Sequence, residues 1–283
     1  MNVLVTGGSG FIGSHIVDKL VEAGHSVRIL DLKEPHRRDV EFLRGNITSE
    51  EDVRKSSNGI NIIYHIGAFS NIDLVKSHPV TTINSNIMGT VCLLEECRRQ
   101  NVQRFIFASS VFVHDERGHL YTTAKLASEM MCKNFNTLYG LPYTILRYGT
   151  AYGPRSRDAD VISVFIRNAL EGKDLVIYGS GEQKRHFIFI DDLAEGNLAA
   201  LKTIATNRTY TMANPNPVTV NELAMIVKEI AGKDITIKYQ PSREDDYQGD
   251  ISDIGLAKEY LDWEPKVNIK EGITRYIEWF RKL

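Results

Sequence analysis

Cysteine is scarce in this sequence: there are three residues, Cys92, Cys97 and Cys132. An odd number makes a poor disulfide framework and their spacing matches no metal-ligand pattern, so they read as reduced thiols packed in helices. Long hydrophobic runs are missing as well, and no apolar stretch approaches the roughly 20 residues that cross a bilayer. The chain opens directly on the strand-like run Val3-Leu4-Val5, with no basic leader or cleavage site. A signal peptide and a membrane are therefore not expected, and the cytoplasm is the expected compartment. Neither sign of charge dominates: 34 Lys and Arg stand against 36 Asp and Glu, a formal net charge of −2. Nucleic-acid recognition ordinarily shows as a clustered basic excess, so small molecules are the expected partners. Internal repeats and low-complexity segments are also lacking, and 42% hydrophobic with 25% charged residues is an ordinary globular composition.

What the 283 residues do contain is an alternation. Strand-like runs at 3–5, 27–30, 62–66, 105–108 and 144–146 are separated by segments whose apolar residues recur every three to four positions. That pattern predicts the α/β class, with a Rossmann-type doubly wound parallel sheet covered by helices on both faces. Right-handed crossovers place the strand C-terminal ends along one edge, where such sheets bind ligands. From about Ala151 the pattern changes to turn-rich stretches at Tyr152-Gly153-Pro154, Gly179-Ser180-Gly181 and Asn214-Pro215-Asn216-Pro217. The expected division is a dinucleotide-binding domain over 1–150, with 187–213 returning to it, and a smaller C-terminal α/β lobe from 151–186 and 214–283.

The opening segment Val-Leu-Val-Thr-Gly-Gly-Ser-Gly-Phe-Ile-Gly, residues 3–13, is a strand running into a glycine turn and then a helix. Gly7 permits the tight turn, Gly10 lets the backbone approach a pyrophosphate, and Gly13 allows close packing of helix on strand. Phe11 and Ile12 begin the helix, whose N-terminus offers free N–H groups and a positive dipole end. Asp31 closes the second strand, where a carboxylate accepts from adenosine ribose hydroxyls. It selects NAD over NADP, because a 2′-phosphate beside it meets like-charge repulsion of several kcal/mol at an effective dielectric of about 20. Arg37 and Arg38 read as solvated loop charges.

Tyr121-Thr122-Thr123-Ala124-Lys125 places a phenol and an amine on one helix face. The strand Phe105-Ile106-Phe107-Ala108 ends just upstream in Ser109-Ser110, which would abut the nicotinamide half of a dinucleotide. A phenol with a pKa of about 10 needs about 4 kcal/mol of preferential stabilisation to serve as a base at neutrality. A neighbouring ammonium and a cationic nicotinamide can supply it. Lys125 would also hold the nicotinamide ribose, and Ser110 would hydrogen-bond the reacting oxygen.

Thr6-Gly7-Gly8-Ser9-Gly10-Phe11-Ile12-Gly13, His65-Ile66-Gly67-Ala68, Asn86-Ile87-Met88-Gly89-Thr90, Tyr121 with Lys125, Tyr152-Gly153-Pro154-Arg155, Arg185-His186-Phe187 and the tail Leu261-Asp262-Trp263-Glu264-Pro265 occur in this order. Together they make the chain resemble, nearly end to end, the NAD-dependent epimerase/dehydratase family of extended short-chain dehydrogenases, in its UDP-glucose 4-epimerase-like branch. The resemblance implies that Asn46, Ile47, Ala68, Asn86 and Tyr148 join the residues above in lining the cofactor cleft. It implies that Thr150, Tyr178, Arg185 and Arg243 border the nucleotide and diphosphate of a sugar nucleotide, expected to be a UDP-sugar. It also implies a homodimer built on segments 86–98 and 121–136, where Leu93, Leu94, Met130 and Met131 are the apolar candidates.

Several positions depart from the family pattern. Ser110 is followed by Val111-Phe112, where the sugar dehydratases carry an Asp-Glu pair and the decarboxylases a Glu. The Ser110-to-Tyr121 segment is short, His114 replaces a common Tyr, and Asn46, Thr150 and His186 replace an Asp, an Asn and an Asp. Without an acid after Ser110, elimination lacks a proton donor. The expected activity is therefore an NAD-dependent nucleoside-diphosphate-sugar 4-epimerase working through a transient 4-keto sugar. A reductase, an unusual dehydratase or a non-catalytic NAD-sensing protein are the alternatives.

Overall fold

Val3, Leu4 and Val5 have no exposed surface, as a strand must when helices cover both faces of its sheet. The computed structural model describes residues 1–114, 120–158, 160–242 and 253–282. The chain begins with β1 (Asn2–Thr6), α1 (Phe11–Glu22), β2 (Ser26–Asp31), β3 (Glu41–Arg44), α2 (Glu50–Ser57) and β4 (Ile62–His65). Two short helices, α3 (Ile72–Ser77) and α4 (Pro79–Ile83), pass through a π-helical turn (Asn84–Met88) into α5 (Gly89–Arg99). Then come β5 (Arg104–Ser110), a 3-10 turn (Val111–His114), α6 (Leu120–Tyr139), β6 (Tyr143–Tyr148) and β7 (Thr150–Tyr152). The second half holds α7 (Val161–Glu171), β8 (Leu175–Tyr178), β9 (Lys184–Arg185), β10 (Phe187–Phe189), α8 (Ile190–Ala199), β11 (Arg208–Met212) and β12 (Val218–Thr219). It ends with α9 (Val220–Ala231), β13 (Ile237–Gln240), α10 (Gly255–Leu261) and α11 (Ile269–Phe280).

Seven parallel strands form the main sheet in the order β11-β6-β5-β4-β1-β2-β3. The chain winds outward from β1 to β3 and then crosses back to β4. Strand order therefore reverses beside β1, and the ligand crevice of such a sheet opens at that switch point. The period of two divides the strands cleanly. Val3 and Val5 face a core with Ile16, Leu20, Tyr64 and Tyr210, whereas Leu4 faces Leu30, Phe105, Leu93 and Cys132 on the other side. The three thiols are free, with Cys97 and Cys132 buried and Cys92 half-buried.

Two of the seven strands have no sequence signature. β3 is four residues long with exposed charges at both ends, and β11 turns only Tyr210 and Met212 inward from a Thr-rich run. A third core joins α7, α9 and α11 through Phe165, Leu223 and Tyr276, beside three two-stranded ladders: β7 with β10, β8 with β13 and β9 with β12. The segment carrying α10 and Trp263 packs into the main-sheet core, although the sequence groups it with the second lobe. Trp263 Nε1 donates to the Asp192 carbonyl at 3.0 Å, and Asp192 Oδ2 accepts from the Lys266 and Val267 N–H groups at 3.0 and 2.8 Å. These bonds lay the Leu261-Asp262-Trp263-Glu264-Pro265 run along α8.

Candidate functional site

The glycine turn is built for close approach. Gly7 has φ of +70°, and a Cβ there would lie 2.6 Å from the Gly67 Cα; a Cβ on Gly13 would lie 2.1 Å from the Gly7 carbonyl oxygen. Side chains at either place would push the turn off β4 or α1 off β1. The first turn of α1 has no acidic residue and no side-chain cap at Gly10, which leaves its N–H groups free for an anion. Ser9 Oγ is buried in the same turn without a hydrogen-bond partner, and buried polar atoms rarely stay unsatisfied unless a ligand or water completes them. Both features fit the pyrophosphate of a dinucleotide. Asp31 stands at the end of β2, its oxygens accepting from the Ser9 and Lys33 N–H groups at 3.0 and 3.1 Å. Arg37 is more than a solvated loop charge: its guanidinium grips Asp39 at 2.9 and 2.6 Å and Asp18 at 3.1 Å, and so it is already engaged by carboxylates. Arg38 is exposed.

Around the crevice, Asn46 Oδ1 accepts from the Thr48 N–H at 3.1 Å and Ile47 packs on Gly89. Asn86 is buried and pairs with the Phe69 backbone in both directions, at 2.7 and 2.9 Å. Ala68 is half-buried just beyond β4. Tyr148 lies at the end of β6, but its hydroxyl donates to Asn197 Oδ1 at 2.6 Å in the layer between sheet and α8, leaving only its ring and backbone for a cofactor.

A buried chain of hydrogen bonds joins the turn to the Asn86 side of the crevice. Thr90 Oγ donates to the Asn86 carbonyl at 2.7 Å, so it accepts from His65 Nε2–H at 3.1 Å. His65 Nδ1 then accepts from Thr6 Oγ at 2.8 Å, and Thr6 Oγ accepts from the Gly67 N–H at 3.3 Å. The hydroxyl and imidazole protons each find one acceptor only if the imidazole is the neutral Nε2–H tautomer. Burial, and behind it Lys125, pushes His65 down to about 3.

Ser110 closes β5, buried, with its Oγ accepting from the Phe112 N–H at 3.2 Å; its own proton is thereby left to donate elsewhere. Lys125 is buried and donates from Nζ to the Ala108 carbonyl at 2.6 Å, 5.7 Å from the centre of the Tyr121 ring and 4.8 Å from that of Phe107. The expected side-by-side phenol and amine are therefore present. Burial pushes the Tyr121 phenol up to about 12, with the Arg157 guanidinium pulling the other way, and it lowers the Lys125 ammonium to about 8. The apolar setting works against the phenolate, and the protein's own charges do not offset it.

Three participants carry no motif that marks them. Arg157 reaches from the loop after β7 to Ser70 Oγ on the loop after β4. Glu129 is fully buried one helical turn beyond Lys125 and is gripped by Arg147 from β6. A glutamate four residues after the lysine was the available signal for the second pair.

The substrate-side candidates are spread over the small ladders. Thr150 opens β7, its N–H donating to the His186 carbonyl at 3.0 Å. Tyr178 ends β8, 41% exposed, and its carbonyl accepts from Gln183 Nε2 at 2.9 Å. Arg185 lies half-buried in β9 with Nη1 on the Lys184 carbonyl at 2.8 Å. His186 is buried with Nδ1 donating to the Asn214 carbonyl at 2.8 Å. Arg243, and positions 115–119 of the short segment before Tyr121, lie outside the described residues. Among the described residues, no His, Cys, Asp or Glu cluster could hold a metal ion, and no helix is long and apolar enough to cross a membrane.

A family model described as the NAD dependent epimerase/dehydratase family matches residues 3–213. The chain is 34% identical over 302 residues to the putative UDP-glucose 4-epimerase of Methanocaldococcus jannaschii, covering 99% of this chain and 98% of that protein. UDP-glucuronic acid decarboxylase 1 of Arabidopsis thaliana is 30% identical, over 99% of this chain and 70% of its own. The crystal structure of UDP-glucose 4-epimerase from Thermotoga maritima with UDP-glucose superposes with a TM-score of 0.95 at 34% identity, covering 100% of this chain and 99% of that one.

The neutral His65 has a stability consequence of definite sign. Its folded pKa, about 3, lies below the unfolded value, so its contribution is present at neutrality and is lost as pH falls through the window from about 6.5 toward about 3. Urea unfolding at pH 7 and 4.5 should show the wild type losing up to about 2–3 kcal/mol more than His65→Gln over that interval. Equal losses in both proteins would mean that His65 is not held neutral.

Proposed function

The chain belongs to the NAD dependent epimerase/dehydratase family, and on that footing we propose that it is an NAD-dependent nucleoside-diphosphate-sugar 4-epimerase acting on a UDP-sugar through a transient 4-keto sugar. The observation that supports this reading most is the convergence of Ser110, Tyr121 and Lys125 with the two residues after Ser110, Val111 and Phe112, carrying no acid. Epimerisation needs one group that takes a proton and gives it back. Elimination needs a further donor beside the leaving hydroxyl.

NAD, when bound, supplies a cationic ring that accepts the C4 hydride and returns it. The chain's own groups manage the proton. Tyr121 withdraws it from the C4 hydroxyl, Ser110 donates to the same oxygen as charge develops, and Lys125 sets a positive charge beside the phenol. Because burial favours the neutral phenol, proton withdrawal is confined to a site that also holds a cation. The turn residues Gly7, Gly10, Phe11, Ile12 and Gly13 hold the pyrophosphate, and Asp31 the adenosine ribose. Asn46, Ile47, Ala68, Asn86 and Tyr148 line the rest of the cleft. The lobe of residues 151–186 and 214–283, apart from the α10–Trp263 segment packed on the main sheet, receives the sugar nucleotide, with Thr150, Tyr178, Arg185 and Arg243 at its nucleotide and diphosphate.

Of the side chains the sequence suggests for the dimer, the proposal keeps Met130, while Met131 is partly buried against the sheet core. Leu93 and Leu94 are fully buried against the sheet. On α6, however, Leu126, Met130 and Leu138 recur at helical spacing and are 43%, 56% and 68% exposed, and Met88 beside them is 48% exposed. This apolar stripe is the face on which a second copy, in the cytoplasm, would dock.

Proton NMR with UDP-hexoses, UDP-hexosamines and UDP-uronates should show one pair interconverting with no net change at 340 nm. No new sugar from any of them would refute the epimerase, and net NADH change would favour the reductase. Tyr121→Phe should lower kcat by about 10²–10⁴-fold while NAD still binds. Light scattering should return twice the chain mass, and Met130→Glu should halve it; a monomeric wild type would remove the dimer.

A further inference from the structure

Glu129 has no exposed surface, yet its carboxylate is fully engaged. It accepts from Ser109 Oγ at 2.6 Å, from Arg147 Nε at 2.8 Å and from Arg147 Nη2 at 2.7 Å. The fork of Arg147 and the serine hydroxyl make three short charge-assisted bonds. All come from strand ends that border the site: Ser109 precedes Ser110 in β5, and Arg147 is its register partner in β6. The remaining arm of Arg147 donates from Nη1 to His114 Nε2 at 3.2 Å, at the end of the 3-10 turn that follows Ser110. Three consecutive residues of β5 therefore divide the work. Ala108 takes the Lys125 ammonium, Ser109 takes Glu129, and Ser110 closes the strand at the crevice.

Stability alone does not account for a charged pair here. Replacing a buried ion pair with neutral residues of similar volume is often neutral or stabilising. What such residues cannot replace is the field at Lys125. The ionisable groups facing that ammonium are Tyr121, Glu129 and Cys132 on α6 and His65 on β4. Burial keeps His65 neutral, holds the phenol neutral, and pushes the Cys132 thiol well up. Glu129, gripped by both arms of the Arg147 fork and by Ser109, is the carboxylate of this group, and it opposes the desolvation that draws Lys125 down to about 8.

We propose that Glu129 is the positioning residue of this site: pinned by Ser109 and Arg147, it fastens α6 to the ends of β5 and β6 and sets a fixed negative charge one turn behind Lys125. The proposal rests on the epimerase reading of the Tyr121 helix. With Glu129 uncharged, Lys125 loses its proton nearer neutrality, and an amine gives no support to a phenolate. The alkaline limb of the pH profile is where this appears.

Two variants separate brace from field. Glu129→Gln drops the charge and keeps the shape, whereas Glu129→Gln with Arg147→Met removes both charges and leaves no orphan ion. In the holoenzyme both should lower kcat about tenfold with the KM for the UDP-sugar within about twofold. Both should also move the alkaline limb of kcat about one pH unit toward neutrality. The double variant should regain thermal stability that the single one loses, without regaining the limb. A double variant with wild-type kcat and limb reduces the pair to a brace and overturns the proposal, as does an unmoved limb in the single variant. Nitrogen-15 NMR of the Lys125 ammonium, assigned with Lys125→Met in NAD-saturated protein, gives a readout without turnover. Its titration midpoint should fall in both variants, and an unmoved midpoint overturns the proposal. If the wild type turns over no UDP-sugar, the epimerase reading falls while this titration still decides whether Glu129 holds Lys125 charged.

Discussion

Lys125 carries an ammonium group into the interior, where an unsatisfied charge costs several kcal/mol, and its bond to the Ala108 carbonyl at 2.6 Å is what makes that burial tolerable. The same bond sets the height and rotation of α6 over the end of β5. Tyr121 follows from it, one helical turn earlier on the same face, and so does Ser110, two residues along the strand that Lys125 grips. The apolar packing that positions these groups, including the Phe107 ring beneath the ammonium, also holds the phenol protonated and weakens the ammonium. Geometry and protonation therefore pull in opposite directions, and under the proposed mechanism a bound cation and a buried carboxylate restore the balance.

A second constraint joins this half of the crevice to the glycine turn. Gly7 lies so close to Gly67 that a side chain on Gly7 would displace it, and a Cβ on Gly67 would sit a tight 3.3 Å from the Gly7 nitrogen. From Gly67 the chain of Thr6, His65 and Thr90 reaches the Asn86 carbonyl, which also accepts from Ser128 on α6 at 2.9 Å. The glycine turn and the helix that carries the phenol thus share one satisfied polar network under the crevice. Such networks are rigid when complete, because each lost partner strands another buried group.

Elements with strict periodicity were legible in the sequence. Residues 3–5, 27–30, 62–66, 105–108 and 144–146 mark five of the seven main strands, because strands buried on both faces are nearly all apolar. β3 and β11 carry no such mark, being edge strands with polar outward faces. The Tyr121 and Lys125 pair was legible because it is local, set by helical spacing alone. Glu129 and Arg147 were not: their contact spans 18 residues and two elements, and only tertiary packing brings a helix face onto two strand ends. The same limit separates Leu93 and Leu94, which face the sheet, from Leu126 and Met130, which face solvent. Helical periodicity identifies an apolar side chain, but the neighbouring layer decides whether it is covered.

The central claim is geometric, and a crystal structure of the protein with NAD and a UDP-sugar tests it directly. The account predicts the Tyr121 hydroxyl and Ser110 Oγ each at about 2.6–3.2 Å from the sugar O4, with the nicotinamide facing the C4 hydrogen. A sugar whose C4 lies out of reach of Tyr121, or a nicotinamide turned away from the end of β5, would contradict it.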